Sequence, residues 1–544
     1  TVPAGESITY RWHAANFGGH FFLDGANQAF DSAEEPPQEV NLFSRGLFGS
    51  VIVHPKGTTW TDPFTGEKVQ GRIQADVHLP EQLSKEAEQA GFVPGISFRQ
   101  FVVHYHTPEG IRTADGGQLT YPNDDTPQMV HAINYRADPT GNRIPTLDLN
   151  DPDIAELSEN FCSSWLHGDP GGGDNVYPMY VGDPVMVLPM GASLEENHVH
   201  HLHGHRWKET SPLTDSDTID SQTVGAGGVY HNPYVVAAGT PDAGINDFTS
   251  VRPEMDFAEA FEVGAGGAHS TTGDVLFHCH LFPHYGEGMW GIMRVLDKER
   301  EGLQKLPNND PPLPMDSDIP GFPEFIPGEF EDAPPFPPYG AAGLDGFRDP
   351  EPDEEEALTR RGEILPGAPY TDPCDPEIDD DIYDGPETEF EGETQEYTIV
   401  ALPADIVYND DGHHDPNGIV YVLEEHADLV REGKMNPEPL VIRANVGDCV
   451  EITFKNEVTE ENIAAIPGDR FPENPPDQDI GADTVPIEAG GKSNHIHFVS
   501  YDLLGSDSLA TGFNYRQDAQ PDETAHYRWY ADEEGTIFFH DHIT

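Results

Sequence analysis

Residues 276–291 read LFHCHLFPHYGEGMWG. One of only four cysteines in the chain, Cys279, stands between His278 and His280, and His284 and Met289 follow it. Three other histidine clusters lie far away in sequence. NHVHHLHGHRW carries His198, His200, His201, His203 and His205; NHIHF carries His495 and His497; FFHDH carries His540 and His542. Surface or cross-strand histidines account for a single H-x-H pair. Four such pairs, together with H-C-H-x3-H-x4-M, point to bound metal.

Alternation along a strand sends residues i and i+2 to the same face. An H-x-H pair therefore presents two imidazoles side by side, and a cysteine between two histidines points the other way. One strand would then face two metal sites. Imidazole suits Cu, Zn, Fe and Ni, whereas thiolate with thioether favours copper. Two His and one Cys in a trigonal site with a weak axial Met form the blue-copper electron-transfer pattern. His198, Cys279, His284 and Met289 supply that set. A hydrolytic zinc site would need neither Cys279 between two histidines nor Met289.

The elements that must hold these residues are expected to be strands. Fifty Pro and 55 Gly favour short strands and turns over long helices. In GDCVEITF (447–454), Val450, Ile452 and Phe454 alternate with Glu451, Thr453 and Lys455, the pattern of a strand with one buried face. GDPVMVLP (182–189) resembles it, and each copy is followed by an NHxH stretch. A second repeat aligns YRWHAANFGGHFFLDG (10–25) with YRWYADEEGTIFFHDH (527–542), where Leu23 and Gly25 replace His540 and His542. The first copy continues to GLFGSVIVHP (46–55), which reads as a closing strand. The chain begins without Met and stops at FFHDHIT, so a fragment or processed product is expected, opening late in one domain and ending late in another. The expected partition is the C-terminal part of a degenerate domain at 1–58, a domain at 59–298, a Pro- and acid-rich strap or linker at 299–392, and a C-terminally incomplete domain at 393–544.

The net charge is −70, from 98 Asp+Glu against 28 Lys+Arg. Self-repulsion of this size destabilises a compact fold at low salt. At 1 M salt the Debye length falls to about 3 Å, which screens it. Adaptation to a salty environment is the simplest reading, and an acidic surface that collects cations is compatible with it. The sign of the charge disfavours nucleic acid. No run of about 18 apolar residues exists, so no membrane span is expected, and no signal peptide is visible.

Taken together, the four histidine motifs make the chain resemble the multicopper oxidases, which are built from cupredoxin β-barrels. The resemblance implies an all-β chain of tandem cupredoxin-like Greek-key barrels with four copper ions. It would place type 1 copper on His198, Cys279, His284 and Met289. Type 2 copper would sit on His201 and His495. The type 3 pair would be held by His203, His278 and His542 on one ion and by His280, His497 and His540 on the other. His200, His203 and His205 also fit H-x-x-H-x-H; the register His198/His201/His203 is preferred because HLHGH follows the type 1 ligand by two residues in the family. H-C-H precedes the final H-x-H motifs here, unlike in three-domain laccases. That order is similar to the larger ceruloplasmin-like oxidases, especially bacterial manganese-oxidising ones.

The implied reaction is one-electron oxidation of Mn(II) (favoured), another metal ion or a phenol, coupled to reduction of O2 to water. Cys279 would pass electrons through the backbone to His278 and His280, and Met289 argues against the highest potentials. A laccase-like phenol oxidase, a copper nitrite reductase and a copper electron-transfer protein are the alternatives. An extracellular, periplasmic or cell-surface location is expected.

Other residues have plainer readings. Asp541, between two ligand histidines and matched by Asp24 in the first copy, reads as a surface or hairpin carboxylate. His104 and His106 form a fifth H-x-H pair, surplus to the scheme and read as structural. Asp379, Asp380, Asp381 and Asp384 read as a solvated run. In an exported protein Cys162 would pair with Cys449 or Cys374.

Overall fold

The computed structural model describes residues 2–24, 45–143 apart from 109–110, 118 and 121–128, 160–311 apart from 194–195, 210–216, 226–233, 237–263 and 268–270, 313–337 apart from 319, 333 and 336, 392–459 and 491–543. Asp379–Asp384, Cys374 and most of the strap lie outside the described residues. The fold is mostly strands, with few and short helices.

An N-terminal hairpin pairs β1 (Gly18–Leu23) with β2 (Phe48–Val53). A six-stranded sheet follows, from β3 (Thr59–Thr61), β4 (Gln74–His78), β5 (Ser97–His106), β6 (Ala132–Ile133), β8 (Val185–Ala192) and β13 (Tyr234–Val236). A five-stranded sheet faces it, in the order β12 (Ser221–Val224), β9 (His198–Leu202), β14 (Gly273–Cys279), β15 (Trp290–Leu296), β7 (Val176–Tyr180). A small pair, β10 (Trp207–Lys208) and β11 (Thr218–Ile219), lies between them in sequence. The C-terminal sheet runs β17 (His414–Leu423), β16 (Thr394–Val407), β18 (Cys449–Asn456), β21 (Thr524–Tyr530), β20 (Ser500–Tyr501). Beside it, β19 (His495–Ile496) pairs with β22 (Phe539–His540).

Alternation explains how these sheets stack. On β5, Phe101, Val103 and Tyr105 share one core with Val275, Phe277 and Cys279 of β14. The opposite face of β5, with Phe98 and Val102, packs under Met186 and Leu188 and against Phe21 and Ile52 of the hairpin. The other face of β14 and β15, with Leu276, Trp290 and Ile292, packs on Leu509 and Ile543 of the C-terminal unit. β14 is thus buried on both faces, and its two faces look into different regions. The expected strand at 447–454 forms as β18, with Val450, Ile452 and Phe454 buried and Glu451, Thr453 and Lys455 partly exposed.

One expectation needs correction, the pairing of Cys162. Residues 299–337 form no strand or helix among those described, and part of the segment packs against the sheets. Leu303, Phe322, Phe325 and Ile326 are buried against Trp165, Tyr180, Leu504 and Tyr515, because an apolar side chain every few residues pins the chain to the sheets. Cys162 forms no disulfide: it and Cys279 carry free thiols. Cys449 is disulfide-bonded, to a partner outside the described residues. The 10–25 and 527–542 repeat also diverges. Tyr527 and Trp529 are 1% exposed on β21 beside β18, whereas Tyr10 and Trp12 are 64% and 68% exposed, outside any strand.

The C-terminal unit is fastened to β14 at Asp274. This buried carboxylate accepts from Arg294 Nε at 2.7 Å and Nη2 at 2.9 Å, and from the Phe513 amide at 2.8 Å. Its own backbone exchanges hydrogen bonds with the Asn514 side chain. Arg294 also pairs with the part-exposed Asp169 at 2.8 and 3.1 Å, so replacing Asp274 removes its buried partner and takes the acceptor from the Phe513 amide. Asp274→Ala is expected to cost roughly 3–5 kcal/mol in denaturant unfolding. A cost below 1 kcal/mol would show that the anchor does not carry the interface.

Candidate metal centre

Register places the first two clusters side by side. On β9 and β14, His278 lies opposite His201, and Cys279 opposite His200. His198 and His200 share one face of β9 with Leu202, which joins the core between the sheets. His201 falls on the other face, because it lies three positions on from His198. The H-x-x-H spacing therefore splits one strand between two sites, as H-C-H does on its neighbour.

The first site lies between the sheets. Cys279 Sγ is 3.5 Å from His284 Nδ1 and 3.8 Å from His198 Nδ1, and those two nitrogens are 3.2 Å apart. His284 comes from the short helix Phe282–Gly286. Met289 is buried beside it, its carbonyl accepting from the Cys279 amide at 3.1 Å and its amide donating to the His284 carbonyl at 3.0 Å. Burial pushes the Cys279 thiol up to about 11, so the thiolate needs a cation beside it.

The second region lies between β9/β14 and the β19–β22 pair. His203, His278 and His542 converge, with His278 Nε2 at 3.3 Å from His203 Nε2 and 3.2 Å from His542 Nε2. His280, His497 and His540 form a second triad, with Nε2 separations of 3.1 Å and 3.1 Å about His497. His201 Nε2 and His495 Nε2 face each other at 3.5 Å.

The His201–His495 contact is not a hydrogen bond. A backbone carbonyl can only accept, so a ring nitrogen bonded to one carries the proton. His201 Nδ1 donates to the Asp220 carbonyl at 2.9 Å, His278 Nδ1 to that of Cys279 at 3.0 Å, His495 Nδ1 to that of Asp507 at 3.0 Å, and His540 Nδ1 to that of Asp541 at 2.8 Å. In these neutral rings Nε2 is a bare lone pair. His201 and His495 thus aim two lone pairs at each other with no proton between them.

A cation resolves this arrangement. Two imidazoles on one ion with bonds near 2.0–2.1 Å and tetrahedral angles hold their nitrogens about 3.3 Å apart, and a thiolate at about 2.3 Å sits about 3.5 Å from an imidazole nitrogen. The observed separations match both values. The residues present therefore fit metal at His198/Cys279/His284, His203/His278/His542, His280/His497/His540 and around His201/His495, where His203 is also within reach. Burial, then the neighbouring imidazoles, holds His201, His203 and His495 well below the ordinary imidazole range. His278 and His542 are lowered the same way, so they are neutral, as metal ligation requires.

The remaining histidines are placed elsewhere. His200 Nδ1 meets the Tyr105 hydroxyl at 2.5 Å. His205 donates from Nδ1 to the His203 carbonyl and accepts the Gly266 amide at Nε2. The alternative register built on His200 and His205 is therefore not the one the strands bring together. His104 bonds the Asn134 side chain at 2.9 Å and packs on Phe48, and His106 packs on Phe48 and Tyr135.

Asp541 is more than a surface carboxylate. Its Oδ1 accepts from the Ser493 amide at 2.9 Å and hydroxyl at 3.1 Å, and Ser493 Oγ accepts the His542 amide at 3.0 Å. It thereby ties NHIH to HDH. Two further carboxylates went unnoticed in the sequence. Asp507 Oδ1 lies 2.9 Å from His203 Nδ1 and accepts the Tyr501 hydroxyl at 2.8 Å; burial pushes this carboxyl up to about 8. Asp220 Oδ2 lies 2.9 Å from His497 Nδ1, while its carbonyl holds His201, so one residue orients rings from both units. No motif marks either position.

No family model matches the chain. A "Probable nitrite reductase-hydroxylamine oxidoreductase fusion protein" of Kuenenia stuttgartiensis is 25% identical over 269 residues. The match covers 48% of this chain and 26% of that protein's length.

Acid should unfold the protein cooperatively. Burial lowers His54 to about 4, His200 to about 3 and His205 to about 4, below the ordinary 6.5 of the unfolded chain. Between those values the unfolded state binds more protons, so stability is full above pH 6.5 and is lost as pH falls toward 4. Denaturant midpoints taken from pH 7 to 4.5 should fall steadily, and a flat profile would contradict neutral burial of these rings.

Proposed function

We propose that the chain is a copper-dependent oxidase of the multicopper oxidase kind, built on tandem cupredoxin-like Greek-key barrels. It would couple one-electron oxidation of a metal ion or phenol to the reduction of O2 to water. The observation that carries the reading is the bare imidazole nitrogens grouped behind a strand whose Cys279 faces a separate His/Cys/Met site. Bound copper would supply one-electron chemistry at Cys279 and multi-electron capacity at the grouped histidines. The protein's own part is to hold geometry. His198, Cys279 and His284 would hold the ion, and the thioether of the buried Met289 would add a weak donor. The Cys279 backbone leads directly to His278 and His280, and its carbonyl accepts from the His278 ring at 3.0 Å, a second route between the sites.

Mn(II) is the favoured reductant, on the motif order and the acidic surface; a phenol is the rival. The disulfide at Cys449 supports placement outside the cytoplasm. A salt-adapted source would explain the net charge of −70.

The relative's printed name favours a second reading, a copper nitrite reductase. That reading requires only the Cys279 site and one further copper. It leaves the two histidine triads without a purpose.

Metal analysis and spectra separate the two. The copper-loaded full chain should hold four copper ions, with an intense blue band and a near-ultraviolet band from the paired ions. Cys279→Ser should lose one copper and the blue band, and O2 uptake should fall to background. Comparing O2 uptake with Mn(II), Fe(II) and a phenol assigns the reductant. Two coppers per chain with nitrite turnover and no O2 uptake would overturn the oxidase reading.

A further inference from the structure

Beside the Cys279 site stands a histidine with no place in the ligand scheme. His131 is buried, and its ring stacks on His284 with centroids 4.0 Å apart and planes 13° apart. Its Nε2 lies 3.0 Å from Glu196 Oε2, and its Nδ1 lies 2.5 Å from Glu287 Oε2. Glu287 belongs to the segment between His284 and Met289, and its carbonyl accepts the His131 amide at 3.0 Å. The ring is therefore fastened at Nε2 and along its backbone, with Glu287 close to Nδ1 and one face against His284.

Glu196 has a choice of partners. Its Oε2 is 3.0 Å from His131 Nε2, 3.0 Å from the Thr107 hydroxyl and 3.7 Å from His284 Nε2. His284 presents Nδ1 to Cys279, so Nε2 is the outer nitrogen, the one that carries the proton when Nδ1 binds metal. A carboxylate that accepts from that outer N–H makes the imidazole a stronger donor. A stronger donor stabilises the more highly charged metal and lowers the potential. At 3.7 Å this bond is not made, because His131 and Thr107 hold the carboxylate.

We propose that His131 is a positioning residue for the Cys279 site: it fixes the plane of His284 by stacking and keeps Glu196 off the outer nitrogen of His284, which holds the site's potential up. This rests on the copper reading of that site. The two functions of the ring are separable. Phenylalanine keeps a stacking face but cannot engage Glu196 or Glu287. Alanine removes both.

Redox titration of the blue band on the copper-loaded full chain tests the proposal. His131→Phe should lower the midpoint potential while the band keeps its intensity. Adding Glu196→Gln to that variant should return the potential toward the wild-type value, since an amide is a weaker acceptor than a carboxylate. His131→Ala should lower the potential and also shift the band and the copper hyperfine splitting, as His284 loses its stacking partner. A potential unmoved in His131→Phe, or a fall that survives Glu196→Gln, would overturn the role of His131 while leaving the copper site standing. A wild-type chain with no blue band would overturn the copper reading and this role together.

Discussion

Lone pairs that face each other without a proton between them are the constraint on which this structure turns. Eight imidazoles lie between β9/β14 and the β19–β22 pair, and four of them are locked by backbone carbonyls into the tautomer with a bare Nε2. Without a cation that arrangement is repulsive, and the desolvation of so many polar rings offers no compensation. The fold holds it because each ring is tied at its far side and the surrounding core is already packed. Metal binding and assembly of the two β-units are therefore one event in energetic terms, as ligands come from both.

The same reasoning explains why the carboxylates matter. Asp220, Asp507 and Asp541 each bond to atoms of both an imidazole-bearing segment and its neighbour, so they set ring orientation and hold segments together at once. Asp274 does this at larger scale, pairing with Arg294 while accepting the Phe513 amide and exchanging backbone hydrogen bonds with the Asn514 side chain. In a chain with such an excess of acid, Asp220, Asp274 and Asp507 are buried and Asp541 is half-buried, and each has found donors. The exposed remainder contributes a field rather than specific bonds.

The Cys279 site follows a different rule. It is enclosed between the two sheets, within the apolar core, and its ligands come from β9, β14 and the helix that follows β14. Its surroundings are tuned by residues outside the ligand set, among them His131 and Glu287 packed beside His284. One site is thus internal to a single β-unit, and the other exists only where two units meet.

Residue spacing alone determined a good deal. H-C-H on one strand can be sorted into faces by parity, so the division of Cys279 from His278 and His280 was legible in the spacing, whereas the register His198/His201/His203 was preferred on the family resemblance. The strand at 449–456 was legible from its alternation for the same reason. What spacing could not reach was contact between segments hundreds of residues apart. Asp507, Asp220 and His131 carry no motif, because a lone carboxylate or imidazole has meaning only beside the ring it orients. Residues 299–337 read as a Pro- and acid-rich linker or strap, and their four apolar anchors have meaning only beside partners in other elements. Local periodicity records which face a side chain takes; only the tertiary structure decides what that face meets.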